Sequence, residues 1–341
     1  MTAMNSKSVR FLLWPLLVIR RRVIARLNAR RRLDVFRYDR ERFLNYSGVT
    51  HCDNREALLA RLIMTYHVVE KGLTMPRRRY DFGHSVIRDL MKYVREFETV
   101  YGREEQQVSH AVCLIKDYLG MHQRIDFDFS IDQEYWGEII RFCDAHPDVS
   151  VVPQPHVTRD KFFADINAPF PVFAASRHTV RHYAGEVDVK QIETAVRLAM
   201  TAPSACNRQH VRVHCISDHG MRDAVFNIQH GNRGFGSDAD KLLCVTFDLA
   251  DLRGWEERND GYVNAGIFIM NLCYALHSQR IGNCILNWHA RRDEDLEMRK
   301  ILGIPPRETI VAFIACGGVP AEFDIAASPR RDFREIFSEH R

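Results

Sequence analysis

The sequence predicts a mostly helical N-terminal region followed by a layered domain of helices and strands, of the α/β or α+β class. Three observations carry this prediction. Apolar residues recur with a helical period over residues 34–149, and short apolar runs alternate with helical segments from about Phe173 onward. A stretch rich in Pro and Asp, without a sustained period, separates the two patterns. We therefore expect a helical region over residues 1–150, a linker over 151–172 and a second domain over 173–341.

The N-terminal region contains three segments with an apolar helical stripe. The first covers residues 54–73, where Asp53 or Asn54 can cap the start and Gly72 can close the end. The other two segments span residues 82–102, ending at Gly102, and residues 109–123.

The second domain alternates helices and strands along the chain. Asp188 can cap a helix that stops before Pro203, and Gly282 and Gly303 can close two later helices. The predicted strands cover residues 211–216, 241–249, 283–288 and 309–318.

Charge and cysteine content narrow the function classes. The net charge is only +4, and the arginines concentrate in residues 1–42, which argues against a nucleic-acid-binding protein. Nine cysteines are scattered without a C-x-x-C pair or a zinc-like Cys/His spacing, and most lie in apolar runs. We expect free thiols, no metal site and a reducing, cytoplasmic compartment.

A short apolar run, Phe11–Ile19, is flanked by arginines. It is too short to span a bilayer and no small-residue cleavage site follows it. Two interpretations remain open: a basic amphipathic anchor in weak peripheral contact with an anionic membrane, or a helix docked on the protein's own body. We favour the second.

Three polar clusters stand at predicted element ends in the second domain. "SRHTVRHY", residues 176–183, places two arginines around a threonine at alternate positions, which suits a phosphate in an extended segment. "TAPSACNRQH", residues 201–210, offers short hydrogen-bonding side chains that can bind the polar edge of a heterocycle. "SPRRDF", residues 328–333, adds two arginines near the C-terminus. Taken singly, each is also typical of a solvated charge run or a turn.

The order and spacing of the three clusters resemble the nitroreductase family of FMN-dependent flavoproteins, over residues 173–341. "LLCVTFD", "NAGIFIMNLCYALHSQRIGNC" and "ILGIPPRETIVAFIACGGVP" are similar to the later parts of that pattern. The resemblance implies an α+β, layered α/β/α domain with a central mixed sheet. It also implies FMN at a homodimer interface, NADH or NADPH as electron donor, and a small-molecule acceptor.

The resemblance also implies roles for particular residues. Arg177 and Arg181 approach the flavin phosphate and ring edge with Thr179 between them, and Arg330, with Arg331 as the weaker candidate, completes the phosphate pocket. Pro203, Ser204 and Asn207 come from the partner subunit and face the ring and the ribityl chain, with Gln209 close by. The backbone amides around Leu286 and Asn287 lie near the reactive ring nitrogen. The full set of cofactor-binding candidates is Arg177, His178, Thr179, Arg181, Pro203, Ser204, Asn207, Gln209, Leu286, Asn287, Arg330 and Arg331.

Three positions depart from the family's pattern. Ala205 stands where a second serine is common, Asn264 where an acidic residue often opens the long helix, and His210–Val211 where Pro-Trp is common. None of these changes removes a phosphate ligand, but together they leave the choice of substrate open.

Flavin carries the redox chemistry in such enzymes, so the resemblance implies ping-pong turnover and no catalytic acid or base of the protein. The alternative is a non-catalytic flavin-binding protein with an assembly or regulatory role. "HVVEKGL", residues 67–73, is similar to the leading region of nitroreductase-like proteins found with bacterial surface-polysaccharide synthesis. This helical module could cover the flavin cleft, extend the dimer, or serve only as a packing domain. We favour the packing domain, with the Glu70–Lys71 pair at its helix end as a charged pair in water.

Overall fold

The computed structural model describes residues 34–341, and residues 34–146 are mainly helical, as expected from the periodicity. Residues 34–46 form α1. Asn54 caps the next helix by accepting a hydrogen bond from the amide of Ala57 at 2.9 Å. The helices that follow are α2 (Arg55–Leu73), α3 (His84–Tyr101), α4 (Gln106–Gln123) and α5 (Gln133–Asp144).

Helices α2 to α5 bury one apolar face each in a shared core. Trp136 lies at its centre, stacked on Tyr118 with ring centroids 5.6 Å apart. Leu62, Val94 and Ile139 are fully buried around them. The N-terminal region therefore has a hydrophobic core of its own.

The second half of the chain is built on a four-stranded sheet in the order β2–β3–β5–β4. Each of the three pairings is antiparallel, and the register shifts between Val245 and Thr246. This confirms the expected α+β layered domain, with antiparallel pairs throughout the described sheet. The strands are β2 (Val211–Ile216), β3 (Lys241–Asp248), β4 (Gly282–Asn287) and β5 (Glu308–Gly317).

Helices cover both faces of this sheet, because its central strands are apolar on both sides. In β3, Leu242 and Cys244 belong to one apolar cluster and Leu243 and Val245 to the other. This alternation follows the two-residue period of a strand and produces an α/β/α sandwich. The flanking helices are α8 (Val189–Ala199) and α10 (Asp260–Ser278) on one face, and α9 (His219–Ile228) and α11 (Arg292–Leu302) on the other.

The stretch expected to be a linker contains structured elements. Strand β1 (His156–Thr158) pairs antiparallel with β6 (Glu322–Asp324), close to the C-terminus. The short helix α6 (Arg159–Phe162) and the residue after it place Phe162 and Phe163 in the core of the sandwich. A second helix, α7 (Phe170–Ser176), ends at the first polar cluster.

Two expected helix ends are wrong. Gly72 lies inside α2, and a Cβ atom there would come within 2.1 Å of the Phe82 ring. Gly282 begins β4, because α10 already ends at Ser278 and Arg280 adopts the left-handed conformation instead. In both cases glycine serves close packing rather than a helix cap.

Other expectations concern the compartment and the membrane. All nine cysteines are free, and Cys113, Cys244, Cys273 and Cys316 are buried. Within residues 34–341, no helix is long and apolar enough to cross a membrane. The Phe11–Ile19 run lies outside the described residues.

We expect Gly261→Ala to lower the free energy of unfolding by about 1–3 kcal/mol. Gly261 lies in α10, and a Cβ there would meet the buried Phe247 ring at 2.2 Å. Gly120→Ala in α4 is the control, because its only close neighbour is the flexible guanidinium of Arg124. Urea unfolding of both variants measures the difference, and equal stabilities would contradict the packing described here.

Candidate functional site

The first polar cluster follows α7 as an extended segment anchored at its centre. The amide of Val180 donates to the carbonyl oxygen of Asn283 in β4 at 2.9 Å, and the Val180 side chain is fully buried. Arg177, Thr179 and Arg181 are each half-buried on either side of this anchor. Sheet pairing and core packing thus hold the three side chains at the edge of the sandwich.

Arg177 carries a charge that the protein does not neutralise. Its Nε atom is buried without a hydrogen-bond partner, and the side chain forms no ion pair among the residues that the structure describes. Burial and then the charge of Arg177 lower the pKa of His277 to about 4. Burial, Arg177 and Arg330 together lower the pKa of His178. Arg177 and Arg330 thus both lie near enough to His178 for their charges to act on its ring.

Arg330 belongs to a C-terminal segment that is bound to the N-terminal helices. The amide of Ser328 donates to Oε1 of the fully buried Glu70 at 2.9 Å, and its hydroxyl lies 3.3 Å from Oε2. The side chain of Gln107 donates to the carbonyl oxygen of Arg330 at 3.1 Å. Helices α2 and α4 therefore fix the backbone that carries Arg330.

Glu70 also holds two histidines. His110 Nε2 lies 2.8 Å from one carboxylate oxygen and His67 Nδ1 3.0 Å from the other. Burial alone would raise the pKa of Glu70, but hydrogen bonds from His110, His67 and Ser328 outweigh it and lower the pKa to about 2. The interpretation of Glu70 as half of a charged pair in water is therefore wrong.

Arg331 points to different partners. Its guanidinium contacts Glu56 at 2.8 Å and also pairs with Glu335. Two carboxylates already surround its charge, so this side chain secures the C-terminal segment to α2. Arg330 is exposed, donates from Nη1 to the carbonyl oxygen of Ser328 at 2.7 Å, and forms no ion pair among the residues that the structure describes.

Arg181 contacts the C-terminal part of α2. Its Nη2 is 3.4 Å from His67 Nε2, and its guanidinium stands 6.0 Å from the centroid of the Phe235 ring. Burial and the charge of Arg181 lower the pKa of the neighbouring Lys71. Residues 67–71 therefore link the Arg330 and Arg181 ends of the cluster.

The second polar cluster forms a tight loop between α8 and β2. Cys206, Asn207 and Gln209 have φ values of 53°, 54° and 52°, in the left-handed region. For non-glycine residues this conformation costs on the order of 1 kcal/mol each. The Ser204 hydroxyl accepts from the Gln209 amide at 3.0 Å, and Gln209 Nε2 donates to Asn207 Oδ1 at 3.1 Å. The loop is thus held by its own polar groups.

This loop borders a hollow of about 260 Å³ lined by residues of α8, β2 and α10. Pro203, Ser204 and Gln209 line it, together with the apolar side chains of Met200 and Phe268. Neither Arg177 nor Arg330 lines this hollow. Within one chain, the structure does not bring the loop residues and the arginines into one cavity.

The three departures from the family's pattern contact each other. Asn264 Oδ1 accepts from the Ala205 amide at 3.3 Å, and Asn264 Nδ2 lies 3.2 Å from His210 Nε2. Burial, followed by the charge of Arg208, lowers the pKa of His210, which suits a neutral ring that accepts from the amide. Ala205, Asn264 and His210 are therefore joined by hydrogen bonds into one unit beside the loop.

Leu286 and Asn287 are the last two residues of β4, which is an edge strand of the four-stranded sheet. Leu286 is buried, whereas the side chain of Asn287 is exposed and lies 3.3 Å from His289 Nδ1. The Asn287 carbonyl oxygen accepts from Gln229 at 2.9 Å, which ties this edge to the loop over residues 230–235.

Sequence reasoning missed the part played by α2. Glu70 and Lys71 stand in the "HVVEKGL" motif, and the only local signal was two charged residues at the end of an apolar stripe. Within residues 34–341, no group of three or more His, Cys, Asp or Glu residues is arranged to hold a metal ion.

Comparisons with known proteins concern the second half of the chain. The model of the nitroreductase family matches residues 174–232 and 221–318. A nitroreductase family protein from Streptococcus pneumoniae is 20% identical, with a TM-score of 0.44 over 50% of this chain and 100% of that chain. An FMN-dependent nitroreductase from Clostridium difficile is 18% identical, with a TM-score of 0.42 over 49% of this chain and 98% of that one. No curated protein sequence matches the chain.

We expect Glu70→Gln to lower the free energy of unfolding by about 3 kcal/mol at pH 7. The pKa of Glu70 is about 2 in the folded chain and 4.5 without these contacts, so its contribution is complete above pH 5 and fades as the pH falls towards 2. Urea unfolding at pH 7 and pH 3 should show the difference between the two proteins shrinking at pH 3.

The control for this variant is Glu98→Gln, which removes a carboxylate 3.1 Å from His146 in the same helical region. Glu98 does not contact the C-terminal segment, so only Glu70→Gln should speed tryptic cleavage after Arg330 and Arg331. A stability difference that is equal at both pH values would contradict the role assigned to Glu70.

Proposed function

We propose that the chain, whose residues 174–318 match the nitroreductase family, is an FMN-dependent oxidoreductase. It takes electrons from NADH or NADPH and passes them to a small-molecule acceptor by a ping-pong mechanism. The observation that carries this proposal is Arg177, whose buried guanidinium nitrogen has no hydrogen-bond partner and whose charge, like that of Arg330, acts on His178. A half-buried charge without a partner is costly alone and favourable with an anion beside it.

The residues present fit the phosphate of FMN. Two guanidiniums can each fork onto two phosphate oxygens, and the half-buried Thr179 adds a hydroxyl. His178, held neutral by the same charges, can donate one further hydrogen bond. We propose Arg177, His178, Thr179 and Arg330 as the phosphate site, with Arg331 holding the segment in place through its carboxylate pairs.

Arg181 and the residues at the end of β4 would hold the flavin ring. Arg181 would place a positive charge beside the polar ring edge, and the backbone at Leu286 and Asn287 would face the reactive nitrogen. When bound, FMN would supply the redox chemistry by accepting a hydride from the nicotinamide and returning two electrons to the acceptor. The protein's own residues would bind and orient the reactants, and no side chain is proposed as acid or base.

The second half of the cofactor pocket would come from the partner subunit of a homodimer. Pro203, Ser204 and Gln209 line a hollow that none of the proposed cofactor-binding arginines lines, and we propose that they, with Asn207 of the same loop, complete the site across an interface. Large apolar side chains beside the loop favour such an interface, since Met200, Val263 and Ile267 are exposed there. The nine free thiols favour a reducing compartment, and we propose the cytoplasm.

We expect the purified protein to be yellow, and NADH or NADPH to bleach its visible absorbance under anaerobic conditions. Arg177→Ala and Arg330→Ala should each weaken FMN binding at least tenfold, because each removes a charged hydrogen bond worth about 1.5–3 kcal/mol. Arg334→Ala is the matched control, since within residues 34–341 that exposed arginine forms an ion pair with Asp332 alone. Fluorescence titration of released flavin gives the dissociation constants.

Three results would count against this proposal. FMN affinity unchanged in both arginine variants would remove the phosphate assignment. A protein that stays yellow in the presence of either donor would favour the non-catalytic flavin-binding alternative. A colourless protein that rejects added FMN would contradict both.

Subunit complementation tests the shared site. Arg177→Ala and Asn207→Ala homodimers should each bind FMN weakly, because each lacks one half of both sites. After unfolding and refolding as a mixture, every mixed dimer should contain one intact site and bind FMN at wild-type affinity. Light scattering should show a dimer throughout. A monomer that binds FMN tightly, or a mixture that recovers no binding, would contradict the shared site.

A further inference from the structure

A large cavity separates the N-terminal helices from the sandwich, outside the residues assigned to the cofactor. Its volume is about 800 Å³, within the range of small-molecule sites. The C-terminal end of α2 and the loop that follows it form one wall, and the loop over residues 230–235 forms the other. The lining residues are Val68, Lys71, Gly72, Met75, Arg77, Arg79, Phe82, Gly83, His230, Gly231, Arg233, Gly234 and Phe235.

The charge of this cavity is of one sign. Lys71, Arg79 and Arg233 line it without an ion pair among the residues that the structure describes, and no Asp or Glu lines it. Arg77 shares its charge with Asp238 at 3.0 Å. Cations that converge without carboxylates attract an anion with more than one charge.

The innermost cations are also the most enclosed. Lys71 is half-buried, and both burial and the nearby charge of Arg181 lower its pKa. Arg181 stands over Phe235, which belongs to the wall of the cavity. Two enclosed like charges repel each other, so an anion bound beside Lys71 would stabilise it.

The walls leave room for a flat group beside the charges. At Gly72, a Cβ would strike the Phe82 ring at 2.1 Å, so glycine lets that ring lie flat against α2. Gly234 has a φ of 88°, and a Cβ there would come within 3.2 Å of Met75 Sδ. The half-buried Met75 and Phe82 thus offer an apolar surface that a purine can cover, backed by the buried Phe235.

We propose that this basic cavity binds the diphosphate of the dinucleotide electron donor, with its adenine against the apolar wall. This inference rests on the proposed function, which places the flavin ring edge at Arg181. A donor whose nicotinamide reaches that ring must extend its linked phosphates away from it, and the cavity adjoins Arg181. The N-terminal helices would then supply a donor site that the sandwich lacks by itself.

The test isolates the half-reaction with the donor. Anaerobic stopped-flow bleaching of the FMN-loaded protein is followed against NADH concentration, without an acceptor. In Lys71→Met, and in the double variant Arg79→Ala with Arg233→Ala, the dissociation constant for NADH should rise about tenfold, as expected for a lost charged hydrogen bond. The dissociation constant of FMN and the limiting bleaching rate should change less than about twofold.

Two controls separate the diphosphate from other effects. 1-Benzyl-1,4-dihydronicotinamide carries no phosphate, and its bleaching rates should be the same in every variant. Arg78→Ala should leave NADH binding unchanged, because Arg78 pairs with Asp324 and does not line the cavity. Calorimetric titration with ADP, which requires no flavin, should show binding to the wild type and about tenfold weaker binding to Lys71→Met.

Each failure has its own signature. Unchanged NADH affinity in both cavity variants, or no binding of ADP to the wild type, would overturn the inference. Equal losses with NADH and the phosphate-free donor would assign Lys71 to the flavin, and loss of FMN would assign the cavity to the cofactor. Both of those results also overturn it. Binding of ADP by a protein that rejects added FMN would instead refute the proposed function and leave the cavity as a nucleotide-diphosphate site.

Discussion

The candidate site depends on one buried carboxylate. Glu70 has no exposed surface and is surrounded by donors from α2, α4 and the C-terminal segment, the last of them 258 residues away along the chain. A buried charge is tolerated only when its hydrogen-bonding capacity is filled, so removing any donor weakens the whole arrangement. The position of Arg330 follows from this constraint, because its segment has no strand or long helix to hold it.

The elements of the fold could be predicted from the sequence because their signals are local. The apolar stripe of α2, the Asp188 cap and the buried run of β5 are each confirmed at their expected places. The ends of α2 and α10 were wrong because Gly72 and Gly282 serve contacts with Phe82, Val180 and Val319. The sequence alone does not distinguish a glycine that caps a helix from one that allows close packing, because the difference depends on tertiary contacts.

Only part of the candidate site could be predicted from the sequence. The arginines of the first cluster could be proposed from their spacing, and the structure leaves Arg177 without a neutralising partner. The ion pair of Arg331 with Glu56 and the hydrogen bond from Ser328 to Glu70 could not be anticipated, since each joins residues more than 250 positions apart. No local pattern carries such a contact, and a charged pair at a helix end is usually solvated.

The short pairing of β1 with β6 shows that the folded domain extends beyond the residues that the family model matches. The family model stops at residue 318, yet β6 and Arg330 lie beyond it, and β1 lies before residue 174. Each flank is bound to the other: β6 to β1, and the segment after β6 to α2. A fragment trimmed to the matched residues would lose both the β1–β6 pairing and the contact of the C-terminal segment with α2. Gene fusions or truncations that respect the family's boundaries would therefore cut through the folded domain instead of around it.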